Sequence, residues 1–368
     1  MKQEKKMSQL YAPSGIFVSN GEVFFCDEFN HRVRKVLRNG QIVTIAGISE
    51  KYGHLQDGQP ATNTRLYYPH SVFVSSSNQV YISEKHRIRK IDQNGIMWTI
   101  AGCDLYGFGG DGGLAIHSRL FEPRGLFVTE EEEVLFADFG NCRIRRIDRC
   151  GMISTIAGDG GREFNGDEIL ATNASVYYPT SVVKYKEEIY LTDTLNHLVR
   201  KINKDGMITS ILGTVGVKGS CEDGTFAKDA TINYVTCIFI HQDEIYFSET
   251  GNHCIRKIFP NGMIKTIAGC GEKGHGGNMA IGAALNSPKG LFVDSDSQVY
   301  FSDCDNHCIR KVDKDGCIVT LAGTPQVRGY SGDVPFDFNT CPHIGRLPLL
   351  IRPFPQAYHD LIFSWKFR

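Results

Sequence analysis

The feature that most constrains this chain is that it repeats itself six times at a near-constant interval. "TIAG" closes at Gly47, Gly102, Gly158 and Gly269, "SILG" at Gly213 and "TLAG" at Gly323, at spacings of 55, 56, 55, 56 and 54 residues. An arginine recurs in the same register at Arg34, Arg89, Arg145, Arg200, Arg256 and Arg310, with the same five spacings. Two anchors in one register across six copies exclude a set of unrelated domains and require an architecture assembled from equal units.

Each unit holds four short stretches of strand character. In the first they are "GIFVS" (15–19), "EVFFC" (22–26), "RVRKV" (32–36) and "QIVTIA" (41–46), β-branched and aromatic, with turn residues between them. Four short strands with tight turns and no helical period make a meandering antiparallel sheet. Repetition at this interval stacks such sheets radially or linearly. A linear stack needs polar caps and a ring does not, so the predicted fold is all-β, a six-bladed β-propeller with four antiparallel strands per blade. The blades are placed at about 10–47, 66–102, 120–158, 176–213, 232–269 and 285–323, after an N-terminal extension (1–9) and before an irregular C-terminal tail (324–368). The tail opens with linker-like "GYSGD" (329–333) but then carries Arg352-Pro353 and Phe354-Pro355, which argue against a central strand. Because the first unit already owns four strands, closure is expected by face packing between blades one and six.

The linkers are stereotyped as well. Asp57, Asp111, Asp167 and Asp223 each stand four residues before Ala61, Ala115, Ala171 or Ala227, and counting back from Ala280 puts Gly276 at that place in the fifth linker. The acidic run Glu130 to Glu133 falls in a turn of blade three and is read as a solvated turn.

Every second strand ends at an acid: Asp27, Glu84, Asp138, Asp193, Glu249 and Asp303. "NHRVRK", "KHRIRK", "NCRIRR", "NHLVRK", "NHCIRK" and "NHCIRK" follow. An arginine on a strand covered on both faces needs acceptors for its guanidinium. Internal ion pairs are therefore predicted for Asp27 with Arg34, Glu84 with Arg89, Asp138 with Arg145, Asp193 with Arg200, Glu249 with Arg256 and Asp303 with Arg310. The recurring histidines His31, His86, His197, His253 and His307 are read as turn residues bonded to backbone or to an acid.

This pattern of Pro-x-Gly, apolar strand, acid, Asn-His-x-Ile/Val-Arg-Lys and Thr-Ile-Ala-Gly resembles the NHL repeat family. The element Asn196-His197-Leu198 stands verbatim. The resemblance covers about residues 10 to 323. It implies a six-bladed propeller used for protein binding, RNA binding, extracellular sensing or, in a few members, enzyme chemistry. It also places the middle residue of Pro-x-Gly near one mouth of the channel: Ser14, then the candidate binding residues His70, Arg124, Thr180, Thr236 and Lys289.

Forty basic and 41 acidic residues leave a formal charge of −1, which supplies no electrostatic reason for a nucleic-acid or anionic-membrane partner. No run reaches the length of a membrane-spanning helix, and the twelve cysteines lack the spacing of a compact disulfide module. The chain is read as a cytoplasmic monomer with reduced thiols. His253, Cys254, Cys304, His307 and Cys308 are zinc ligand types on adjacent blades, yet Cys254 and Cys308 share one repeat position with Arg32, which reads as strand filler; no metal or cofactor is expected. No nucleophile triad or phosphate-cradling loop is present. The expected function is non-catalytic, a scaffold that recognises a protein or peptide through a propeller face. The alternatives are an enzyme or small-molecule sensor at the channel mouth, and an RNA-binding propeller.

Overall fold

The computed structural model describes residues 8–48, 57–103, 105–331 and 333. The chain is all-β, with six antiparallel sheets whose four principal strands follow one another in chain order. In blade one these are Pro13–Ser19, Glu22–Asp27, Arg32–Val36 and Ile42–Ala46. The innermost strand of each blade touches those of both neighbours, and Pro288–Val293 of blade six lies against Pro13–Ser19 of blade one, so the sheets form a closed ring.

The repeat dictates this packing residue by residue. The centre of the second strand points into the interface between blades and is fully buried at Phe25, Ile82, Phe136, Leu191, Phe247 and Phe301. Each core cluster draws on two adjacent blades. The cluster joining Ile16, Val23, Phe25 and Val36 to Tyr300, Ile309 and Ala322 is the face packing between blades one and six. The glycine closing each "TIAG" is required twice over. Gly47 has φ +95°, and a Cβ there would stand 2.3 Å from the His31 carbonyl oxygen, an arrangement repeated through Gly323 against His307.

The linkers do more than connect. Gln59–Pro60 and Ile169–Leu170 add a short fifth strand to the sheets of blades two and four. Single bridges at Leu114 to Met152, Phe226 to Met263 and Met279 to Cys317 cover the outermost strands of blades three, five and six in the same way. Unpaired sheet edges are thereby masked. Beyond Gly323, residues 324–331 and 333 run as a sixth linker onto blade one. Gln9 bridges Ser331, Leu10 bridges Arg328 and Ile42 bridges Asp333. The "RLPLLIRPFPQ" part of the tail lies outside the described residues.

Five innermost strands place a phenylalanine at the same depth: Phe17, Phe73, Phe127, Phe239 and Phe292, with Val183 in blade four. Ring centroids of 4.5 Å between Phe17 and Phe73, 4.9 Å between Phe17 and Phe292, and 4.7 Å between Phe239 and Phe292 make these side chains an aromatic collar around the axis.

Candidate functional site

The acid of each blade is the hub of its polar interior. Asp138 accepts from the Phe121 backbone N–H at 2.8 Å, from Asn141 Nδ2 at 2.8 Å and from Arg145 Nη1 at 3.2 Å, with no solvent exposure. Asp27 repeats the set with Tyr11, Asn30 and Arg34 at 2.8, 3.0 and 3.0 Å. Glu84 and Arg89 approach to 3.0 Å, Asp193 and Arg200 to 3.6 Å, Glu249 and Arg256 to 3.5 Å, and Asp303 and Arg310 to 3.2 Å. Burial pushes the Asp138 and Asp193 carboxyls up to about 6 against the pull of these donors. Both stay ionised opposite their guanidiniums at neutral pH. A lone buried charge would be costly, and the donors explain why acid, asparagine and arginine travel together in the repeat.

The arginine also reaches outward to the linker aspartate. Arg89 Nη2 meets Asp57 at 3.1 Å, Arg145 meets Asp111 at 2.7 Å, Arg200 meets Asp167 at 2.9 Å and Arg256 meets Asp223 at 3.3 Å. In blade one the partner is Asp333, 2.7 Å from Arg34 Nη2. Each linker aspartate also accepts from a hydroxyl on the outermost strand: Thr99, Thr155, Ser210, Thr266 or, for Asp333, Thr44 at 2.6 Å.

The histidines latch one blade to the next. Nδ1 of His31 accepts the Tyr68 backbone N–H at 3.2 Å, and His253 accepts from Ser287 at 3.1 Å. His86 and His197 act likewise on Glu122 and Tyr234, and His307 on Ala12 across the seam at 3.2 Å. An accepting Nδ1 assigns the proton to Nε2. Burial pushes His31 down to about 4, and His197 and His253 also below their ordinary value. Cys254 instead lies 3.5 Å from Glu249, and Cys308 is 3.2 Å from the Asn306 carbonyl. No three metal-ligating side chains converge among the described residues.

What fails to repeat gathers at the channel mouth. Glu28, buried in the turn after Asp27, lies 3.4 Å from His70 Nδ1. Burial works against its carboxylate, but His70, Lys289 and Arg124 outweigh it and hold Glu28 down to about 2. Lys289 is held above its ordinary range by Cys304 and by Glu28. Arg124 stacks 3.6 Å over the Phe139 ring. The other two candidates face different work. Thr180 lies within 3.0 Å of the Thr192 and Thr194 hydroxyls, and Thr236 is 2.6 Å from the Thr250 hydroxyl, in chains that end on backbone carbonyls of the next blade. The structure thus brings His70, Arg124 and Lys289 together around an acid that spacing did not single out, and ties Thr180 and Thr236 into contacts between blades.

Around this mouth the same face carries half-buried aromatics from blades one to four. Tyr11 and Phe29 stack at 5.0 Å, and Phe139 and Tyr178 at 4.6 Å. Cations interleave with them: Lys85 lies 4.3 Å over Tyr67 and Arg162 lies 5.6 Å over Tyr178. At the matching positions blade five puts Asn233 and Tyr234, and blade six Asn286 and Ser287. This mixture of rings and cations escaped the sequence reading because the rings come from linkers and turns, and meet only in space. On the opposite face, Glu130 to Glu132 line an open cleft of about 830 Å³ between blades two and three, where Glu132 accepts from Ser77 at 2.7 Å.

Six blades with a buried acid–arginine pair in each and a histidine latch at five of the six joints define an NHL-type propeller. The chain is similar to proteins of the NHL repeat family. A family model described as the teneurin NHL domain matches residues 268–332. Human teneurin-4 is 26% identical over 353 residues, covering 83% of this chain and 12% of the teneurin. Chicken NHL repeat-containing protein 2 is 25% identical over 356 residues, covering 85% of this chain and 48% of the relative. The chain therefore spans a small part of the teneurins and about half of the latter protein. Among solved structures, an auxiliary nutrient binding protein of Bacteroides thetaiotaomicron superposes with TM-score 0.59 at 14% identity, over 85% of this chain and 70% of that one. Virginiamycin B lyase of Staphylococcus aureus does so with TM-score 0.50 at 16% identity, over 84% of each chain. At these identities the likeness is one of fold.

Proposed function

We propose that this propeller is a non-catalytic binding module that recognises a protein or peptide on the face around Glu28. The observation that supports it is the asymmetry of that face. Blades one to four each supply two or more rings, with the cations Lys85, Arg124 and Arg162 among them, while blade five offers Tyr234 at the matching positions and blade six has none there; most of the remaining polar hardware repeats and is consumed internally. Tyr and Arg in partly desolvated surroundings are the residue types that dominate protein interfaces. Lys85, Arg124 and Arg162 lying against these rings favour a ligand with acidic groups beside apolar ones.

The test is selection of peptides from a displayed random library on the intact chain, followed by calorimetry of the enriched sequences. Enriched peptides carrying acidic and aromatic residues should bind with Kd of about 1–100 μM. Arg124→Gln and Tyr178→Ala should each weaken binding about tenfold, whereas Phe226→Ser on the outer rim should not. Enrichment indifferent to Arg124 and Tyr178, or tighter binding of single-stranded RNA than of any peptide, would defeat the proposal.

A further inference from the structure

Five of the six buried arginines bond a linker aspartate through Nη2; Arg310 in blade six does not. Its only hydrogen bond among the described residues is from Nη1 to Asp303 at 3.2 Å, although the side chain is 3% exposed. The hydroxyl that should share the carboxylate is present. Thr320 pairs in register with Arg310 as Thr155 does with Arg145, and it has no hydrogen-bond partner among the described residues.

The cause is a deletion. Counting residues puts Gly276 at the aspartate's place, but the backbone corrects this. Gly276 bridges Ala284 as Gly109 bridges Arg119. Gly277 at φ +87° packs on Ala283 as Gly110 at φ +95° packs on Ser118. The Asn278 carbonyl accepts from Ile318 as the Gly113 carbonyl accepts from Ile153. Blade three has Asp111 and Gly112 between these points, and blade six has nothing. The Asp-Gly pair is missing and the surroundings that receive it are retained.

His275 supplies a further element. It precedes the deletion point where Phe108, Phe164 and Tyr330 precede Asp111, Asp167 and Asp333 by three residues. Those three rings lie 5.0, 4.9 and 5.0 Å from Arg145, Arg200 and Arg34. In blade one the ring residue itself donates to the linker acid, Tyr330 OH to Asp333 at 2.5 Å. His275 is close enough to Arg310 for the guanidinium to depress its basicity, and its Nε2 is buried with no hydrogen-bond partner.

We infer that blade six binds a carboxylate from outside the ring, held by Arg310 Nη2, the Thr320 hydroxyl and His275 in the manner of the aspartate that the other five linkers supply. The ligand chemistry is a single small carboxylate, whether free or carried on an acidic side chain. The other blades give the template: one carboxylate bridging guanidinium and hydroxyl, as Asp111 accepts from Arg145 on Oδ1 and from Thr155 on Oδ2 at 2.7 Å each. This inference stands independently of the peptide-binding face proposed above.

The experiment is thermal unfolding of the intact chain at pH 7.5 in sodium acetate against sodium chloride at equal ionic strength, and in N-acetyl-Asp-Gly-amide against N-acetyl-Asn-Gly-amide. Near tenfold saturation the carboxylates should raise Tm by about 1–2 °C over their controls. Two variants report on the site. Insertion of Asp-Gly between Gly277 and Asn278 should raise Tm by itself and abolish the response. Thr320→Val should weaken the response severalfold. A dipeptide response reached at tenfold lower concentration than acetate identifies a peptide-borne carboxylate, and equal potency a free one. Absence of any response in the parent chain, or an undiminished one in the insertion variant, would overturn the inference.

Discussion

The seam between blades six and one gives a quantitative test of how the ring holds together. Asp333 Oδ1 accepts from Arg34 Nε at 3.1 Å and Nη2 at 2.7 Å, while Oδ2 accepts from Thr44 at 2.6 Å. Arg34 is sealed from solvent and Asp333 is 19% exposed, so the pair is screened on one side only. In Asp333→Asn the shape and one acceptor survive, and Arg34 keeps Asp27 at 3.0 Å. Charge-assisted bonds of this kind contribute about 1.5–3 kcal/mol each, so the net loss after these compensations is about 2–3 kcal/mol. For a chain of this size that lowers Tm by about 3–5 °C. Asp57→Asn is the internal comparison. Its carboxylate is 37% exposed and makes longer bonds, 3.1 Å to Arg89 and 3.0 Å to Thr99, so screening limits its cost to about 1 kcal/mol. Urea unfolding gives both numbers. Hydrogen exchange then locates them, with Ile42–Ala46 loosening in the first variant and Ile96–Ala101 in the second. If Asp333→Asn costs less than Asp57→Asn, or leaves Ile42–Ala46 as protected as before, Asp333 is not part of the closure.

Two further outcomes follow from the latches and the close approaches. His31 titrates near 4 in the fold and near its ordinary 6.5 when unfolded, so the unfolded chain takes up the proton first and stability falls as pH drops from 6.5 toward 4. This contribution reaches about 3 kcal/mol at the acid end, and His31→Asn should flatten that part of a stability-against-pH curve measured by urea unfolding. Gly290→Ala places a Cβ 2.3 Å from the Ser14 carbonyl oxygen and 2.9 Å from the Ile16 nitrogen, both backbone. It should cost at least about 2 kcal/mol in the same assay, and a neutral result would mean the innermost strands can part without penalty.

The spacing of "TIAG" and of the arginines was enough to read the six blades, their strand order and the seam packing. Blade interiors were legible because acid and arginine lie close in sequence on paired strands, seven residues apart for Asp138 and Arg145 and five for Glu84 and Arg89. What stayed hidden lies between units. Nothing in "NHRVRK" says that the histidine accepts a hydrogen bond from the next blade, since that partner is 37 residues away for His31 and Tyr68. The linker aspartate looked like a turn signal because its guanidinium belongs to the strand pair that follows, 34 residues on for Asp111 and Arg145. The two-residue deletion near Gly276 is masked by flanking glycines that keep a plausible count. The candidates at Pro-x-Gly separated because a threonine is satisfied in place where the following turn of its own blade offers a hydroxyl, as at Thr194 and Thr250, whereas His70, Arg124 and Lys289 act from their own blades on Glu28 in the turn of blade one.

The joint across the seam carries the parts found at most of the others: histidine to backbone, aspartate to arginine, innermost strand against innermost strand. To the folded ring, the seam is therefore one joint among six. A circularly permuted chain that joins the present seam by a short spacer and opens in the linker between blades three and four would present each blade with an unchanged set of neighbours. By the same reasoning whole units are interchangeable coinage for duplication and loss, limited only by the angle each blade must subtend.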